Sequence, residues 1–175
     1  MCDRCGLPAS GSHAITLSER PAHRLVGSYW EGSHDEVRAG ALKVLLARAK
    51  TLSERTAGIW RSPLVVLTWN VRACSVRYFV GIAADVGELD STGFDTIELP
   101  EMNFVSSWHG PDDGGVVEHY LHMIEWIEGQ GLVRDTGQFA QREEYPNDLD
   151  LDRAPTLRLL LPVSGVAAAG GFVAA

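Results

Sequence analysis

The spacing of apolar positions changes along the chain, and each change marks an element. From Ile15 to Trp30, "ITLSERPAHRLVGSYW" reads as strand, and "SHDE" follows with Ser33 as N-cap and Glu36 three residues on. That is a capping box, in which two side chains satisfy otherwise free backbone amides. Val37, Ala41, Val44, Leu45, Ala49 and Leu52 then recur at helical spacing, leaving Arg38, Arg48 and Lys50 towards water. "PLVVLTWNV" and "VRYFVGIAADV" predict a β-hairpin, with Cys74 as a small strand residue.

The same order of elements returns at an offset of 79 residues, Pro21 to Pro100. Val26 then matches Val105, Ser28 matches Ser107, Tyr29 matches Trp108, and the register runs without a gap through Leu42 with Leu121 and Leu45 with Ile124. In the second copy "FDTIELPEMNFVSSWHG" is the strand, Asp112 or Asp113 the cap and "VVEHYLHMIEWI" the helix, while "QFAQREEY" and "TLRLLLPV" form the strand pair. Two copies make a duplicated module rather than a solenoid. The expected fold is α+β: β-α-β-β twice about a pseudo-twofold axis, a mostly antiparallel sheet carrying two helices, and a central cleft. The domain is expected over residues 14–163, in repeats of about 14–90 and 91–163, between flexible segments 1–13 and 164–175.

One stretch sits oddly in this pattern. "REEYPND" places two adjacent acids in a strand, where alternate residues share a face. Phe139, Gln141, Glu143 and Tyr145 fall on one face, and Ala140, Arg142 and Glu144 fall on the other, which is expected to be solvated. Glu143 is therefore the acid expected to point inward. A buried, unpaired carboxylate is costly, so it raises its pKa, finds a donor or receives a cation.

Composition narrows the chemistry. A net charge of −8 and only 15 Lys and Arg speak against a nucleic-acid surface and suit a cationic partner. No apolar run reaches membrane-spanning length and no signal peptide precedes the first strand, so a cytoplasmic protein without membrane contact is expected. Cys2 and Cys5 form a lone CxxC without a second half, and His119 and His122 lack further ligands, so no metal is expected. No phosphate-binding glycine loop appears, and no cofactor is expected. His109, in "WHGP", is read as a turn residue exposed to water; Trp30 and Trp60 are read as packing or rim residues.

"WHGPDDGGVVEHYLHMIEWI", the "REEYPND" block with its Glu-x-Tyr-x-Asn-Asp pattern, and the closing "LRLLLPV" resemble the GyrI-like small-molecule-binding family, the effector-binding domain of Rob- and BmrR-like regulators. The resemblance covers residues 15–163. It implies a cleft along the pseudo-twofold axis, lined by aromatic rings, with a glutamate at the position of Glu143 that receives lipophilic cations and other aromatic drugs. The expected ligand-binding set is Glu143, Tyr145, Trp108, Tyr29, Trp69, Tyr78, Trp126 and Phe139.

The chain looks like a stand-alone member, since only about a dozen residues precede the first strand. Three roles follow from the resemblance. The first is binding of hydrophobic, cationic aromatic molecules for sensing, sequestration or protection. The second is hydrolysis of cyclopropane-bearing natural products with Glu143 as catalytic general base. The third is inhibition of a protein partner such as DNA gyrase. Exposed sheet edges also make a homodimer reasonable.

Overall fold

The computed structural model describes residues 14–55, 62–83 and 93–165. The CxxC, Trp60, the expected flexible segment 1–13 and residues 166–175 of the expected segment 164–175 lie outside them, whereas Ser164 belongs to the last strand. The elements are β1 (Thr16–Arg20), β2 (His23–Ser33), α1 (His34–Arg38), α2 (Ala41–Arg55), β3 (Leu64–Arg72), β4 (Ser75–Ala83), β5 (Asp95–Leu99), β6 (Met102–His109), α3 (Val116–Gly129), β7 (Val133–Arg134), β8 (Gln141–Tyr145) and β9 (Leu157–Ser164). The strands form one nine-stranded sheet in the order β1-β6-β9-β8-β3-β4-β2-β5, with β7 added beside β9. Every pairing is antiparallel.

The duplication is visible in this order. β1 and β2 correspond to β5 and β6 at the same offset, Thr16 to Asp95 and His23 to Met102. The halves join where β3 pairs with β8, Val65 opposite Glu144. Each long strand expected from the sequence is in fact two. Pro21 and Pro100, which cannot donate to a ladder, fall at the breaks. The first strand of each half then crosses over: β1 pairs with β6 of the other half, and β5 with β2.

This exchange forces curvature. β1 and β2 lie near opposite edges of the sheet, yet only Pro21 and Ala22 separate Arg20 from His23, a span of at most about 11 Å. The sheet must therefore roll until its edges approach. Gly27 and Gly81 face one another across β2 and β4, and a Cβ on either would collide with the backbone of the opposite strand. Rolling gives the sheet two cores. The outer face packs Val66, Val80 and Leu159 under Leu45 and Leu52 of α2 and Met123 and Ile127 of α3. The inner face closes on Leu25, Val65, Leu67, Phe79, Phe104, Phe139 and Leu160. β3 shows the result, with Leu64, Val65, Val66 and Leu67 all at most 1% exposed.

Local signals held in part. Ser33 and Glu36 form the capping box, but the helix stops at Arg38 and restarts after Gly40, whose φ of 105° breaks it. Val44, expected inward, is 62% exposed, and Leu46 is buried instead. Neither Asp112 nor Asp113 caps α3; Gly115 is its N-cap, and Asp113 accepts from the Gly110 amide at 2.6 Å, closing the preceding turn. Cys74 lies exposed in the turn between β3 and β4.

Candidate functional site

Strand alternation sends Gln141, Glu143 and Tyr145 of β8 to the helical face. Glu143 is 9% exposed and accepts two phenolic hydrogen bonds, from Tyr145 at 2.7 Å and from Tyr120 of α3 at 3.0 Å. No lysine or arginine among the described residues pairs with it. Burial raises its carboxyl above the ordinary carboxylate range, against the pull of Tyr145, Tyr120 and the His109 ring. Burial and then the Glu143 charge hold the Tyr120 and Tyr145 hydroxyls well above the usual phenol value, and the same two causes raise Tyr78. Trp30 stacks on Tyr78 with centroids 5.8 Å apart and planes 18° apart. Trp126 packs, partly buried, on the same core.

The site is thus an acceptor-only carboxylate beneath tyrosine hydroxyls, closed over rather than lying in an open groove. His109 and His119 stand beside it, buried, with their Nδ1 atoms 3.0 Å apart. His109 is therefore not a water-exposed turn residue: it ends β6 and packs under α3.

Of the eight residues expected to line one cleft, Tyr78, Trp126 and Tyr145 share the helical face with Glu143. The other four do not. Tyr29 meets Trp69 at 6.1 Å, Trp69 meets Phe139 at 6.3 Å, and Phe139 stacks on Phe104 at 6.2 Å, all on the inner face. Trp108 also faces inward, opposite Arg158 and 5.9 Å from its guanidinium. β8 begins at Gln141, so the parity that grouped Phe139 with Glu143 does not reach it. Tyr120, Trp30, His109 and His119 were not in the expected set, although His109, His119 and Tyr120 all lie within the matched block "WHGPDDGGVVEHYLHMIEWI".

Glu144, expected in solvent, is 8% exposed on the inner face. Arg20 grips it with Nε at 3.0 Å and Nη2 at 2.8 Å, and Arg142 Nε adds a third bond at 3.0 Å. A guanidinium only donates, so His23 Nε2 accepts from Arg142 Nη1 at 3.0 Å, and its Nδ1–H goes to the Pro21 carbonyl at 2.7 Å. Burial alone would raise Glu144, but Arg142, Arg20 and Arg158 outweigh it and hold the carboxyl below its ordinary value. Arg20 and His23 flank the β1–β2 crossover, so this cluster latches the roll of the sheet. At the 79-residue offset, Arg20, His23 and Glu144 match Leu99, Met102 and Val65, so the other half closes with apolar residues.

No protein-family model and no curated protein matches the chain. Solved structures do. The structure of SAV2435 bound to tetraphenylphosphonium is 16% identical, with a TM-score of 0.61 over 87% of this chain and 94% of that one. The C-terminal domain of EcmrR is 15% identical, with a TM-score of 0.57 over 86% and 97%. A hydrolase from Listeria innocua is 18% identical, with a TM-score of 0.54 over 89% and 94%. The chain therefore has the GyrI-like fold expected from its sequence, in which small-molecule-binding proteins and proteins named as hydrolases both occur.

Proposed function

We propose that the chain binds hydrophobic, aromatic, cationic small molecules on the helical face of the sheet, for sensing, sequestration or protection. Glu143 supplies the charge, and Tyr78, Tyr120, Tyr145, Trp30 and Trp126 supply the walls. The observation that carries this reading is a buried carboxylate that has phenol donors and, among the described residues, no lysine or arginine partner. Such a group is costly as an anion until a cation arrives, and each desolvated ring face adds about 0.5–2 kcal/mol of cation–π attraction. Entry requires the rings over Glu143 to move. The fold shared with a protein solved with tetraphenylphosphonium supports the choice of ligand class.

The test is a fluorescence titration with tetraphenylphosphonium and with the neutral triphenylphosphine oxide. Glu143→Gln is expected to weaken the cation about tenfold or more and the neutral analogue little. Equal loss for both ligands would remove the charge from the argument.

A second reading rests on the raised carboxyl of Glu143, which suits a general base. Water would lose a proton to Glu143 and attack a cyclopropane carbon; the ring C–C bond would break and its electron pair would take up a proton. Mass spectrometry separates the readings. A bound cyclopropane compound returning unchanged excludes hydrolysis, and one returning with added water, abolished by Glu143→Ala, establishes it.

A further inference from the structure

The two halves of the duplication join their last strands differently. Residues 73–74 alone connect β3 to β4, whereas residues 146–156 connect β8 to β9. The module can therefore close with a tight turn, and the fold does not require the longer segment. Surplus length of this kind belongs to loops that bind or cover a ligand.

The segment leaves the sheet at the site. Tyr145, whose hydroxyl holds Glu143, ends β8, and Pro146 follows it. Leu149 is 4% exposed and enters the same core as Tyr145 and Leu45 of α2, and Lys50 Nζ of α2 donates to the Leu149 carbonyl at 2.8 Å. Lys43 Nζ, also on α2, meets Asp152 Oδ1 at 2.7 Å. On its other side the segment stands off from Pro111, in the turn before α3, across a concavity of about 490 Å³ walled by Pro146, Leu149 and Pro155. Residues 146–156 thus form a strap that is tied to α2 and has room beside it.

The strap is also the element that opens at the lower cost. Its own backbone bonds are those of turns, from the Leu149 amide to the Pro146 carbonyl at 3.1 Å and from the Arg153 amide to the Asp150 carbonyl at 3.3 Å. Swinging it outward uncovers Leu149 and releases two lysines, of which Lys43 is already open to water with its partner. Lifting α3 would instead uncover His119, Met123 and Ile127, and lifting α2 would uncover Leu45, Leu46, Ala49 and Leu52. The apolar area exposed sets the order in which parts of a fold open.

We propose that a cation reaches Glu143 through the concavity beside residues 146–156, which open at Leu149 and close again over the bound ligand while α2 and α3 stay seated. This rests on the reading of Glu143 as the partner of a cation and adds the route by which that partner arrives. Asp148 and Asp150 outnumber Arg153 at the mouth, so the local field draws positive ligands in. Tyr145 adjoins the moving segment and is the ring that turns aside.

The experiment is stopped-flow fluorescence with tetraphenylphosphonium. Leu149→Ala is expected to speed association and dissociation together, each by about tenfold or more, with little change in affinity. Lys50→Met, should the first not fold, is expected to do the same by a smaller factor. Unchanged rates in a folded variant, or an affinity loss carried by dissociation alone, would overturn the gate. Asp148→Asn combined with Asp150→Asn is expected to slow association in dilute salt and hardly at all in concentrated salt. Association as fast as in wild type would place the route elsewhere.

Amide exchange without ligand gives an independent reading. The Leu149 and Arg153 amides are expected to open well before those of Met123 and Ile127 in α3, and opening of all four together would also overturn the proposal. Absence of any tetraphenylphosphonium binding would remove the ligand reading and the gate with it, whereas binding with unmoved rates in the variants would remove the gate alone.

Discussion

Glu143 and Glu144 are neighbours on β8, both buried, and their side chains leave the sheet on opposite faces, one to two tyrosine hydroxyls and the other to two guanidiniums. Burial acts on both in the same direction. The partners decide the outcome: phenols leave Glu143 raised, and arginines carry Glu144 below its ordinary value.

Glu144→Gln is expected to destabilise the fold by about 3–5 kcal/mol, because it leaves Arg142 buried without its counter-charge. Since the folded carboxyl is depressed, its contribution is present above the unfolded glutamate value and lost as pH falls through the folded one. Urea denaturation of wild type and variant should therefore differ at neutral pH and converge in acid.

Glu143→Gln should do the reverse. A raised folded pKa means stability that is fully present below the unfolded value and lost as pH rises through the folded value. The variant lacks that loss, so its Tm is expected to exceed that of wild type at neutral pH and to match it in acid. A variant that binds cations worse and melts higher would show that the buried acid is kept at the expense of stability.

The two faces can be told apart by fluorescence. Trp30, stacked on Tyr78, is on the proposed ligand side, whereas Trp69 packs with Tyr29 and Phe139 on the inner face. Trp30→Phe is expected to remove much of the quenching by tetraphenylphosphonium, and Trp69→Phe little of it. The opposite pattern would move the ligand to the inner face.

Gly81→Ala tests the pinch between β2 and β4. Its Cβ would run into the Val26 carbonyl, which is backbone and cannot rotate away. A loss of about 1–3 kcal/mol in chemical denaturation is expected, and a similar loss for Gly27→Ala.

The duplication, the order of elements and the burial of Glu143 were legible because each leaves a periodic trace: a constant offset, a helical repeat, an alternation. Glu144 was misplaced because alternation presumes one wet face. The unbroken apolar runs "LVVL" in β3 and "LLLPV" in β9 carry the opposite signal, that of strands covered on both sides. The crossover of β1 and β5 leaves no such trace, since a strand's pattern does not say which neighbour it pairs with; only Pro21 and Pro100 hint at the break. Tyr120 could not be chosen from spacing either. It meets Glu143 from a different element, and that meeting depends on how α3 lies over the sheet.

The reciprocal placement of β1 and β5 bears on how the protein comes apart. Neither half can lose its structure without stripping an edge strand from the other, since β1 leaves β6 when the first half melts and β5 leaves β2 when the second does. The duplicated modules should therefore unfold as a single cooperative unit. Amide exchange in the protected strands of both halves is expected to report one common opening free energy.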